Sequence, residues 1–359
     1  MNTRERLLRF MNFESVDRPP MILPGGPWSA TRRRWEQEGL PKGIELTEFF
    51  DVDRMPVRQL AIDTLLRPPF KERILEESGE FVIKIDSHGV KTRNFKDESS
   101  MSEHLEYPIK GPDDLSWLRT RLDCRDPDRI APDWLEQAER MRKNGVLTFV
   151  NGGMYFAFLN EHMGTQNVMV SYFDHPEFIH EVNNLLCSLC ELALKTALPK
   201  FVPDRIGYHE DMAYKNGSMI SPDLFRAFMT PYYKRITALT KPHGIDYHLM
   251  DSDGDIRELI PLWLECGINA FTPLEVAAGM DVAELRKQYG HQIKMEGGFD
   301  KRILASDKKS IKAEFERLVP VIDEGGYLIG CDHSVPPDVP LENYAYLVNL
   351  MKTHYGVQQ

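Results

Sequence analysis

Short β-branched or aromatic runs alternate along this chain with longer segments whose apolar residues recur at helical spacing. The runs cover 21–23, 56–62, 146–150, 205–208, 245–249, 270–273, 292–295 and 327–330, and most end in polar, often acidic residues. Eight such strand–loop–helix units predict a (β/α)8 TIM barrel, whose chemistry sits at the C-terminal rim of its strands. A doubly wound sheet would share the alternation, but the Gly-x-Gly-x-x-Gly turn expected of one is absent. A capped helix over 3–13 precedes the first strand, and Pro24-Gly25-Gly26-Pro27 forms the first rim loop. Two alternating runs, 80–86 and 90–93, flank Ser87-His88-Gly89 and predict a hairpin, followed by a partly helical excursion to 144. The organisation expected is one barrel domain over 1–359, with an insertion at about 64–144.

Composition narrows the partners. Among 359 residues, 42% hydrophobic and 28% charged, the net charge of −11 argues against nucleic acid, whose phosphates need clustered Lys and Arg. Arg32-Arg33-Arg34 reads as a solvated helix face. No apolar run reaches the length of a membrane span, and the segment after Met1 reads as a helix, not a secretory leader. Of the five cysteines, Cys187 and Cys190 fall on the buried stripe of a helix over 176–198, so they read as core thiols. A reduced, cytoplasmic setting is expected.

Candidate chemistry gathers after the later strands. Asp251 and Asp253 flank Ser252, and residues two apart on an extended segment face the same way. The structural alternative is that Asp253 or Asp255 caps a helix over 256–265. Glu275 follows Pro273-Leu274 with no evident capping duty, Glu296 precedes Gly297-Gly298, and His333 follows Cys331-Asp332. Asp251, Asp253, Glu275 and His333 form an oxygen-rich set with one imidazole, suited to Zn²⁺ or another divalent ion. A metal-free carboxylate cluster doing acid/base work is the alternative. Asn151, Tyr208, His209 and Asp211 are candidates for substrate contact, and Glu210 and Glu296 for proton transfer.

Beyond these residues, the chain resembles the uroporphyrinogen decarboxylase superfamily over nearly its whole length. The resemblance rests on Thr3-Arg4-Glu5-Arg6 with Asp17-Arg18-Pro19-Pro20, on Ser221-Pro222-Asp223-Leu224-Phe225 with Pro231-Tyr232-Tyr233-Lys234, on Gly297-Gly298-Phe299-Asp300, and on Pro336-Pro337-Asp338-Val339-Pro340 with Asn343. It implies a (β/α)8 barrel and two activities, decarboxylation and cobamide-dependent methyl transfer. The decarboxylases' arginine-rich motif near the first strand is missing; Met21-Ile22-Leu23-Pro24-Gly25-Gly26-Pro27-Trp28 stands there instead. Asp63 is the residue that could match the decarboxylases' catalytic aspartate. In the thiol-methylating branch the resemblance places Asp251, Asp253 and His333 at zinc-ligand positions held elsewhere by His, Cys and Cys, with Glu275 at the glutamate. Cys331 and His248 are spare ligands.

A carboxylate-rich site suits polarising an ether oxygen better than holding a soft thiolate. The expected activity is thus metal-assisted transfer of a methyl group from a methoxylated aromatic or related small donor to a corrinoid, as in aryl methyl ether demethylases. The corrinoid would come on a partner protein. Tyr155, Phe156, Phe158 and Trp28 could line an aromatic pocket. A homodimer is left open, and neither membrane nor nucleic acid is expected. The alternative function is a lyase acting on a small carboxylate.

Overall fold

The computed structural model describes residues 1–23, 25–96 and 102–357. In chain order its strands are β1 (Val57–Gln59), β2 (Arg73–Glu77), β3 (Phe81–Ile85), β4 (Lys91–Phe95), β5 (Glu103–Glu106), β6 (Leu147–Gly153), β7 (Arg205–His209), β8 (Ala213–Tyr214), β9 (Gly217–Ser218), β10 (His248–Asp251), β11 (Ala270–Thr272), β12 (Lys294–Phe299) and β13 (Tyr327–Cys331). Seven of them form one parallel sheet in the order β1-β6-β7-β10-β11-β12-β13, with helices in the crossovers. Crossovers of this kind cover the outer face of a parallel sheet, so its strands are largely buried; all five residues of β13 are.

The sheet curls into the barrel expected from the sequence. Arg205 on β7 reaches Glu296 on β12, three places along the strand order, at 3.4 Å. Such a contact requires the sheet to curl strongly, bringing its two ends toward each other. The segment 21–23, expected as the first strand, forms no ladder. It lies between the two sheet ends instead: Asp53 N–H donates to the Met21 carbonyl ahead of β1, and Pro27 bridges Val335 beyond β13. Pro24 of that rim loop lies outside the described residues.

The opposite end of the barrel is stoppered by the first helix, Thr3–Met11. The Asn2 side chain accepts from Glu5 N–H and starts it, satisfying one of the amides a helix N-terminus leaves free. Leu7, Phe10 and Met11 then pack against Leu147, Tyr247, Leu249, Ala270 and Leu328, the lower ends of four barrel strands and their lead-ins. Burying side chains of this size contributes about 1.5–3 kcal/mol each. Arg6 ties the helix to Asp17 and Asp53, and Arg18 holds the same Asp53.

The hairpin expected over 80–93 is the centre of a larger element. β2, β3, β4 and β5 form a four-stranded antiparallel sheet, followed by helices Leu115–Arg121 and Trp134–Lys143. It meets the barrel near the end of β6: Ile109 N–H donates to the His162 carbonyl at 2.9 Å, and the His88 ring stands edge-on to His162. Cys187 and Cys190 are buried and unpaired on the helix Pro176–Ala197. Among the described residues, no helix is long and apolar enough to cross a membrane.

Candidate active site

A cavity of about 390 Å³ opens at the C-terminal rim, lined by His209, Asp211, Asp251, Asp253, Cys331 and His333 together with Gly25, Thr272, Pro273, Gly297 and Ser334. No Arg or Lys is among the lining residues. Strand alternation explains the membership. From β7 onward, His209 and Asp211 point inward whereas Tyr208 and Glu210 point outward; Asp251 and Asp253 repeat the parity after β10. Gly297 has φ +91°, and a Cβ there would stand 2.2 Å from the Pro273 carbonyl. That position is glycine because two rim loops touch backbone to backbone.

His209 is the strongly perturbed imidazole of the cavity. Its Nδ1 lies 3.3 Å from Asp251 Oδ2, and its Nε2 lies 3.6 Å from Asp211 and 3.8 Å from Glu161. The hydrogen bond to Asp251 outweighs burial, and with the other carboxylates it raises the imidazole from 6.5 to about 9. His333 faces Asp253 at 3.4 Å and is raised for the same reason. Burial pushes Asp211 and Glu161 up. The rim therefore presents an imidazolium at neutral pH amid carboxylates, with Nε2 free of any contact of ordinary hydrogen-bond length.

Several expected residues lie elsewhere. Glu210, expected as a rim acid, has no exposed surface: its carboxylate accepts from the N–H groups of Tyr155, Phe156 and Ala157 at 2.7–3.0 Å and from Tyr233 Oη at 2.5 Å. It anchors the start of the helix Ala157–Met163, and that helix carries Glu161 to His209. Glu296 is not at the rim either, because β12 runs on to Phe299 and leaves Glu296 inside the barrel, bonded to Arg205 and Tyr247. Tyr208 points to the helical layer and bonds His248 Nδ1. His248 Nε2 meets Thr240, which places that imidazole outside the barrel and away from the cavity. Asn151 donates to Thr64 and accepts from Gly153 N–H, fixing the end of β6. Asp63 accepts from Leu65 N–H in a local turn. Asp255 is taken by Arg257, so the helix expected over 256–265 begins only at Ile260. Tyr155, Phe156 and Phe158 are buried in the core.

The proposed ligand set does not assemble around one centre. Glu275 is occupied by the Lys301 ammonium at 3.1 Å and by Gly254 N–H, away from the cavity wall. Asp251 and Asp253 each face a different histidine. Among the described residues, no three His, Cys, Asp or Glu side chains converge as ligands of one ion would. Cys331 lines the cavity, and burial pushes its thiol up to about 12. Glu161, Lys301 and the buried Asp332, which accepts from the N–H groups of Val276 and Lys301, complete the surroundings. The sequence pattern did not single these three out, although Lys301 lies only three residues beyond Gly298.

Comparison with known proteins agrees with this architecture. Residues 148–354 match the family model described as uroporphyrinogen decarboxylase (URO-D). The uroporphyrinogen decarboxylase of Nostoc punctiforme is 24% identical over 372 residues, covering 98% of this chain and 96% of that protein. The enzyme of the same name from Trichormus variabilis is 23% identical over 367 residues, covering 98% and 97%. A solved structure titled "methyltransferase from Methanosarcina mazei" superposes over 99% of both chains with a TM-score of 0.59 at 14% identity, a likeness of fold.

Proposed function

From the premise that this chain belongs to the uroporphyrinogen decarboxylase family, we propose that it is a methyltransferase, taking a methyl group from a small O-methyl donor to a corrinoid carried by a partner protein. The observation that carries the reading is the cavity wall: two imidazoles beside carboxylates, and no Arg or Lys. A substrate bearing many carboxylates would be repelled there, within a chain of net charge −11. A neutral ether is admitted, and its cleavage needs a proton for the leaving oxygen. His209 supplies that proton.

In the step, the ether C–O bond breaks with its electron pair passing to oxygen, and a His209 ring N–H protonates that oxygen as it departs. The methyl carbon forms its new bond to the reduced cobalt of the acceptor, which provides the electron pair. Asp251 holds the ring by Nδ1, leaving Nε2 to face the donor, and water later restores the proton. General acid assistance of this kind contributes about 10²–10⁴-fold. His333, backed by Asp253, stands across the cavity as a second donor that orients the oxygen. No step is assigned to a metal, because the ligand set expected from sequence is divided between two histidine–carboxylate pairs and a Lys301 pair.

The test is a panel of methoxylated aromatics and methylamines incubated with the protein and cob(I)alamin, following the absorbance of methylcobalamin. Transfer from an O-methyl donor, lost in His209→Gln, is the expected result. Carbon dioxide release from a small carboxylate, without methylation of cobalt by any donor, would replace this reading with a lyase.

A further inference from the structure

A second and larger cavity, about 650 Å³, lies on the inserted antiparallel sheet, outside the barrel. Strand register builds it. Arg73 pairs with Ile85, Ile85 with Lys91 and Lys91 with Glu106, so these four side chains form one row across β2, β3, β4 and β5 on a single face. The Phe70 and Tyr107 rings line it as well, together with Leu75 and Lys71.

The charge of this cavity is opposite to that of the protein. It collects Lys71, Arg73, Lys91 and Lys110 against a single carboxylate, Glu106, within a chain of net charge −11. Glu106 is 3.7 Å from Lys110. Among the described residues, no carboxylate lies within ion-pairing distance of Lys71, Arg73 or Lys91. Three cations without a carboxylate partner among the described residues repel each other on one concave wall, a cost that bound negative charge relieves. Apolar surface is exposed beside them: Leu75 is 46% exposed, on a strand whose five residues are all exposed. Volume, aromatic rings and convergent polar groups match the usual make-up of a small-ligand site.

We infer that this cleft is a binding site for a small organic anion with a flat apolar body, an aromatic carboxylate or sulfonate in chemical class. The anionic group sits between Arg73 and Lys91, and the body lies on Ile85 and Leu75 between the Phe70 and Tyr107 rings. The site is separate from the rim cavity but adjoins its supports. Tyr107 packs on Gly164, where a Cβ would stand 2.6 Å from its ring, and three residues before Gly164 is Glu161, the neighbour of His209.

The experiment titrates the full-length protein with 8-anilinonaphthalene-1-sulfonate and, separately, with its uncharged analogue N-phenyl-1-naphthylamine. Trp117 stands edge-on to Phe70 at 5.7 Å, so the part of the energy transfer from tryptophan that is lost in Trp117→Phe reports binding in the cleft. Saturable binding of the sulfonate at one site is expected. It should weaken about tenfold in Arg73→Ala/Lys91→Ala and with added salt, with much weaker and variant-insensitive binding of the neutral probe. Neither side chain has an ion-pair partner among the described residues, so the double variant should keep its circular dichroism and melting temperature. Should it unfold, the single Leu75→Glu, on a fully exposed strand, is read in the same way and must also weaken the sulfonate. Equal affinity for the two probes, or sulfonate binding unchanged in a folded variant, overturns the assignment.

Discussion

Replacing Asp251 by Asn tests the acid role of His209 most directly. The substitution keeps the size of the side chain and removes the charge that faces Nδ1 at 3.3 Å. That contact is the largest of the influences lifting the imidazole from 6.5 to about 9, while Asp211 and Glu161 remain to hold part of the rise. A drop of about 1–2 pH units is therefore expected, to roughly 7.5. At pH 8.5 a group of pKa about 9 is about three-quarters protonated, and one of about 7.5 is about one-tenth protonated. Methyl transfer at pH 8.5 should thus fall about eightfold, while at pH 6.5, where both forms are almost fully protonated, it should change little. The assay is initial methylcobalamin formation from a saturating O-methyl donor across pH 6–10, paired with an NMR titration of the ring. The same linkage acts on folding. A pKa raised in the folded state gives stability that is complete below 6.5 and lost as pH rises through about 9, so the variant should be destabilised at pH 6 and not at pH 10. An alkaline limb that stays near 9, or an equal loss at pH 6.5 and 8.5, would refute the acid role.

Other expectations concern the supports. Glu210→Ala strands three buried N–H groups and the Tyr233 hydroxyl, and should cost about 3–5 kcal/mol in urea unfolding, with Glu210→Gln recovering part of it. Arg205→Leu leaves Glu296 charged and unpaired inside the barrel and should cost a similar amount, about 3–5 kcal/mol; adding Glu296→Leu should recover most of the loss. Dialysis against EDTA should leave methyl transfer intact, whereas a loss restored by Zn²⁺ would return the rim carboxylates to metal binding. Glu275→Ala frees Lys301 and the Gly254 loop, and should raise KM more than it lowers kcat.

Barrel architecture was legible because its signal is repeated: seven of the expected runs are strands at or near the expected positions, in one parallel sheet. The run 21–23 was the exception, since its hydrogen bonds go to Asp53 and, through Pro27, to Val335, contacts no local pattern encodes. Rim residues were legible as far as strand parity reaches. Two-residue spacing brings Asp251 with Asp253 and His209 with Asp211 to the cavity, and the same parity sends Tyr208 and Glu210 outward once β7 is known to end at His209. A boundary four residues too early put Glu296 at the rim rather than mid-barrel. Glu275 escaped because its partner, Lys301, comes from the next rim loop, and a free carboxylate and a paired one look alike in sequence.

The stopper formed by Leu7, Phe10 and Met11 leaves the barrel a single mouth. In the transfer proposed here, the small donor and the bulky acceptor must use the same doorway, and the larger one covers it. Turnover then has an obligatory sequence, donor in first and carrier second, and a surplus of carrier should slow the enzyme by shutting the door on an empty room.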